Sequence, residues 1–123
     1  MGKTLKLHNK TRNVELATKL DVATSFWERT RGLLGRSNLP ADEALWIQGT
    51  DLVGCNSIHT LFMRFAIDAV FVDRDLKVKK VYHDLGPWRM TWPARGAHSV
   101  FELPAGTLKS RPVEIGDELH VGG

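Results

Sequence analysis

Alternation opens the chain. Leu5 and Leu7 stand among polar Thr4, Lys6 and His8, and after a polar turn holding Asn9 and Lys10 the set Val14, Leu16 and Thr18 alternates again with Glu15 and Lys19. A two-residue period puts successive side chains on opposite faces of a strand, so these stretches predict a β-hairpin. The period changes in ATSFWERTRGLLGR, residues 23–36. At about 100° per residue, Phe26, Trp27, Thr30, Leu33 and Leu34 fall on one arc, which predicts an amphipathic helix with that arc buried. Ser25 followed by Glu28 forms a capping box, and Gly35 can close the last turn. Arg29 and Arg36 lie along one margin of the arc and Arg31 along the other, where long stems can cover apolar surface while the guanidinium groups stay wet.

Beyond the turn-rich SNLPADE, the pattern returns to strands. ALWIQ (44–48) predicts one strand, and GTDLVGCNS (49–57), with its two glycines, predicts a loop. AIDAVFVD (66–73) is nearly continuous in apolar residues, the signature of a central strand buried on both faces. After the turn DRD, LKVKKVYH (76–83) predicts its partner; the alternation slips between Lys79 and Lys80, which predicts a bulge. GPWRMTWPARGA (86–97) holds two prolines, two glycines and two tryptophans, a loop composition. HSVFELPAGT (98–107) predicts a strand ending at Pro104 and Gly106, and GDELHV (116–121) a last one turned by Gly116 and Asp117. The count is that of a mostly β, α+β protein with one helix.

With 123 residues, the chain suits a single domain, 1–123. That length removes about two-thirds of the unfolded surface from water without metals or disulfides. Hydrophobic residues at 42% and charged residues at 25% are ordinary for a globular protein. No stretch approaches the roughly 18 consecutive apolar residues of a membrane span. The net charge of +3 comes mostly from the first 36 positions, where eight Lys or Arg face three acids. The bias is mild and lacks a clustered basic run, so nucleic acid and membrane are not expected partners. Lys3 and Lys6 are not followed by a signal-peptide apolar run, and Lys6 stands where myristoylation wants Ser or Thr. A cytoplasmic location is therefore expected, and the single Cys55 agrees with a reducing compartment.

The ordered pieces FWERTRGLLGR, IHTLFMRFAIDAVFVD, PW, FELPAGT and GDEL resemble the domain of unknown function 192 family, from about residue 14 to the end. The resemblance implies a compact, mostly antiparallel β barrel or sandwich with one helix laid against it, and no assigned reaction. Many relatives resemble exported proteins with an aromatic-Met-Lys-Asn-Thr stretch where this chain has Phe62, Met63, Arg64, Phe65 and Ala66. With a His-Thr pair ahead of the methionine, this chain is similar to the leaderless subset.

Chemistry concentrates in CNSIHTLFMRFAID, residues 55–68. Cys55 and His59 are four apart, a spacing that would align them on a helix and let an imidazolium stabilise a thiolate. Gly54, Asn56 and Ser57 favour a loop instead, and an inert buried cysteine is the commoner outcome. Cys55, His59, Asp68, His83 and His98 would make a metal site only if separate strands converge, because no paired-ligand motif is present. Neither metal nor cofactor is expected.

A third reading makes His59, Thr60, Arg64 and Asp68 the lining of a polar pocket for a small anionic molecule or peptide, rimmed by Trp88. Arg64 offers a planar fork for carboxylate or phosphate, and its apolar neighbours require its charge to be paired or set in a cleft. Simple pairing of Arg64 with Asp68 is the competing structural account. A hydrolase-like or metal-assisted enzyme with His59 as base is the first functional alternative. The second is an accessory protein that docks a partner through the loop bearing Trp88 and Trp92. Trp27 and Trp46 are expected in the core.

Overall fold

The computed structural model describes residues 4–23, 39–48 and 65–123. The opening alternation becomes β1 (Leu5–Asn9) and β2 (Val14–Ala23), an antiparallel pair. Asn13 turns between them at φ 54°, a left-handed conformation that Asn tolerates. Five further strands follow: β3 (Glu43–Gln48), β4 (Ile67–Val72), β5 (Val78–Leu85), β6 (Ser99–Pro104) and β7 (Leu119–Gly122). A single short turn of helix, α1 (Thr107–Ser110), lies between β6 and β7. The helix expected over 23–36 falls on 24–38, outside the described residues. None of the described helical residues forms a stretch long and apolar enough to cross a membrane.

The strands form one sheet in the order β5-β4-β6-β3-β2-β1-β7. Its pairs are antiparallel except β2 with β3, which run parallel from Lys19 opposite Glu43 to Ala23 opposite Ile47. A parallel pair needs a crossover of a dozen or more residues, and residues 24–42 supply one. The fold is thus mostly β, with one departure from an all-antiparallel sheet. The sheet curls until its two edges meet at one end. Lys77 bridges Glu118, Val78 N–H donates to the Asp117 carbonyl at 2.8 Å, and Leu119 N–H donates to the Leu76 carbonyl at 2.9 Å. The result is a half-barrel, stapled where β5 begins and β7 begins.

Both faces of the sheet carry core. Leu7, Leu16, Val70, Val72, Phe101 and Leu103 belong to one apolar cluster, while Leu45, Ile47, Ile67, Phe71 and Val100 belong to a second. Alternate residues of β4 and β6 therefore serve opposite clusters, which is why both strands read as unbroken apolar runs. The predicted slip in β5 is present: Phe71 pairs Lys80 and Val72 pairs Val78, so Lys79 is the extra residue of a bulge. A second irregularity sets Ile67 opposite Leu85 and Ala69 opposite Tyr82, with Asp84 left-handed at φ 56°.

Candidate functional site

His59, Thr60 and Arg64, three of the five side chains expected to line a pocket, lie outside the described residues, as does Cys55. The competing account, a pairing of Arg64 with Asp68, therefore also lies outside them. Asp68 is the second residue of the buried strand β4 and is 1% exposed. Its two oxygens accept backbone hydrogen bonds: Asp84 N–H donates to Oδ1 at 2.8 Å and Leu108 N–H to Oδ2 at 3.0 Å. The first donor belongs to the β5 irregularity, where a bulged residue drops out of the ladder. The second belongs to the opening turn of α1, whose N–H groups have no partner within the helix. One carboxylate thus pins β5 and α1 to the centre of the sheet.

Trp88 stands at the surface. It follows Pro87 in the β5–β6 connection, takes a left-handed φ of 62°, and is 60% exposed. Met90 and Trp92 in the same connection are 73% and 84% exposed. The connection is held at its base, because Thr91 and Ala94 are buried and Ala94 joins the second apolar cluster. Ala97 N–H donates to the Ala94 carbonyl at 3.1 Å and His98 N–H to the Val72 carbonyl at 2.8 Å. Trp46 behaves as a core residue, stacked on Phe101 with ring centroids 5.1 Å apart, its indole N–H donating to Ser99 Oγ at 2.9 Å. Trp27 lies outside the described residues.

His83 is exposed on β5 and His98 is half-buried before β6. Among the described residues no group of three or more His, Cys, Asp or Glu side chains is placed to hold a metal ion.

Sequence reasoning missed two polar features. The first is a knot between the β1–β2 turn and the segment before β7. Asn9 Nδ2, Arg12 Nε and the Glu114 N–H all donate to Asp117 Oδ2, at 2.9, 2.7 and 2.9 Å. Burial pushes the Asp117 carboxyl up, but the bonds from Asn9, Glu114 N–H and Arg12 outweigh it and hold the group below its ordinary value. Asn9 was legible only as a turn residue, since its partner lies 108 positions on. The second is Glu102, a buried acid in β6 set between Leu45 and Ala69 in register. Its one signal was a lone charge in the apolar run SVFELP.

A curled mixed sheet of this order defines the chain as a β half-barrel protein. Two solved structures share that fold. A protein of unknown function from Novosphingobium aromaticivorans matches with a TM-score of 0.79 at 18% identity, over 95% of this chain and 83% of its own. A Sinorhizobium meliloti protein, provisionally described as a transcription regulator, matches at 0.80 and 21%, over 95% and 91%. The DUF192 family model, described as Uncharacterized ACR, matches residues 7–121, and the chain belongs to that family. UPF0127 proteins of Pyrococcus abyssi and Pyrococcus furiosus are each 32% identical over 112 residues, covering 91% of this chain and 93% and 94% of theirs. A UPF0127 protein of Thermococcus sibiricus is 31% identical over 113 residues, 92% of this chain and 72% of its own.

Proposed function

We propose that this member of an uncharacterised family is a binding module that receives an acidic, apolar-studded peptide segment of a protein partner on the connection between β5 and β6. The observation that carries the reading is the exposure of Trp88, Met90 and Trp92 within five residues of one loop. Burying a large apolar side chain gains about 1.5 to 3 kcal/mol, so three left in water on a loop with a fixed base favour a second surface to cover them. Arg89 stands between Trp88 and Met90, and Arg95 follows Trp92 by three positions. Trp and Arg are the side chains that dominate binding hot spots, and a cationic rim selects an acidic partner. Asp68 belongs to the scaffold in this reading, since its oxygens bind backbone N–H groups, while Trp88 belongs to the contact surface.

The test uses the full chain and two peptide pools, one alternating Asp or Glu with Leu or Phe, the other with Lys or Arg replacing every acid. The acidic pool is expected to bind, and Trp92→Ala to weaken it by about tenfold or more, a hot-spot loss. Equal binding of the basic pool, or full affinity in Trp92→Ala, overturns the reading. So does Trp92-dependent binding of phosphatidylserine vesicles without binding of the acidic peptides, which would make the loop a membrane contact.

A further inference from the structure

The first and last strands set two histidines side by side. In β1, His8 lies between Leu7 and Asn9, both fully buried, so its half-buried ring belongs to the opposite, outer face. Register places His8 directly opposite His120 of β7 and, on its other flank, opposite Glu15 of β2. Residues directly opposite share a face, with Cβ atoms about 4.5 to 5.5 Å apart. Glu15, His8 and His120 therefore form a row across β2, β1 and β7, although the two histidines stand at opposite ends of the sequence.

Each ring is placed in a way that bears on what it can bind. His8 Nε2–H donates to Asn13 Oδ1 at 3.2 Å. The amide oxygen can only accept, so the proton of the neutral ring stays on Nε2 and the lone pair is left on Nδ1. Such a bond, from the far ring N–H to an oxygen, is the usual support of a metal-ligating imidazole, because it fixes the tautomer and the ring plane. His120 is exposed, and its ring lies over Gly122: a Cβ on that glycine would come within 2.9 Å of His120 Nε2. The missing side chain leaves the ring room along the strand, and rotation about the side-chain bonds of His120 carries it from there to the space above His8. The surrounding charges nearly cancel. Lys10 is matched by Glu118 at 3.7 Å, and Lys6, two positions before His8, is offset by Glu15 beside it.

We propose that His8 and His120 form a two-imidazole site for a divalent transition ion of the Ni²⁺, Cu²⁺ and Zn²⁺ class. These ions favour neutral imidazole, and bonds of about 2.0 to 2.1 Å to nitrogen lie within reach of two rings on neighbouring strands. Among the described residues no trio of His, Cys, Asp or Glu is placed for a metal, so the site is an open pair with water completing the coordination. Because its ligands come from β1 and β7, an ion held there also fastens the last strand to the first.

Ni²⁺ is the probe, since its paramagnetism broadens the amides around it. In ¹⁵N spectra of the full chain, Ni²⁺ below one equivalent is expected to broaden residues 7–9 and 119–121 before those around His83 and His98, neither of which is paired with a histidine in the strand register. His120→Asn, at an exposed position, is expected to keep the metal-free thermal midpoint and to lose this selectivity. Asn13→Gly keeps the left-handed turn and removes the oxygen that holds His8, and is expected to weaken Ni²⁺ by about tenfold, the scale of a lost supporting bond. Saturating Ni²⁺ is expected to raise the thermal midpoint of the unmodified chain and not that of His120→Asn, since an ion bound only when β1 and β7 are paired stabilises the folded state. The proposal is overturned if broadening centres on His59, His83 or His98, or if His120→Asn responds to Ni²⁺ as the unmodified chain does. It is equally overturned if saturating Ni²⁺ leaves the thermal midpoint of the unmodified chain unmoved.

Discussion

Single residues carry the ties between distant parts of this chain. Asp117 gathers three donors onto one oxygen, and its carboxyl lies below its ordinary value of 3.8. A carboxyl depressed on folding adds stability that is complete above its unfolded value and disappears as the pH falls through the lower folded value. The stability gap between the unmodified chain and Asp117→Asn, read from urea unfolding, should therefore be widest near neutral pH and shrink as the pH drops below 3.8. A gap that stays constant down to strongly acidic pH would remove the charge from this account. At this scale the chain's own residue order was a partial guide. Asp68 was legible as a polar member of the candidate site, either lining a pocket or pairing with Arg64. Its companions were not legible: they are backbone N–H groups 16 and 40 positions away, which carry no side-chain signature. Arg64, singled out beside it, lies outside the described residues.

Elements were more legible than residues. Alternation placed β1 and β2, the apolar run placed β4, and the slip at Lys79 marked a real bulge. The parallel joining of β2 to β3 had no signal, since alternation reports which face a residue serves and not the direction of its neighbour. The turn of helix α1 was missed because four residues are too few for a period of 3.6 to register. It persists because Gly106 begins it at φ 89°, Leu108 is buried, and Asp68 accepts the Leu108 N–H. Asp68→Ala strips an acceptor from both α1 and the β5 irregularity. Each orphaned N–H costs about 1 to 3 kcal/mol, so urea unfolding should show a loss of about 2 to 6 kcal/mol overall. Chemical-shift changes should concentrate at residues 83–85 and 106–110. A loss near zero would mean that solvent replaces the carboxylate at no penalty.

For the whole molecule, the mostly β class followed from the strand count, whereas the curl of the sheet followed from nothing local. It depends on Leu76, Val78, Asp117 and Leu119 meeting across the ends of the strand order. The loop bearing Trp88 and Trp92 was recognisable from its prolines and glycines. The pairing of His8 with His120 was not, because the two come together only through strand register. Burial predicts how protection is distributed. The amides of β4 and of residues 99–103 in β6, all in buried residues, should be the slowest in hydrogen exchange, and those of Trp88, Met90 and Trp92 among the fastest. Comparable rates in the two regions would contradict this distribution. The strand order also dictates a timetable. β1 is made first yet lies between β2 and β7, so one of its flanks has no neighbour until residues 119–122 have been synthesised. During translation the nascent chain can pair its first two strands, but it must keep the outer rim of β1 waiting until the seventh strand clears the ribosome.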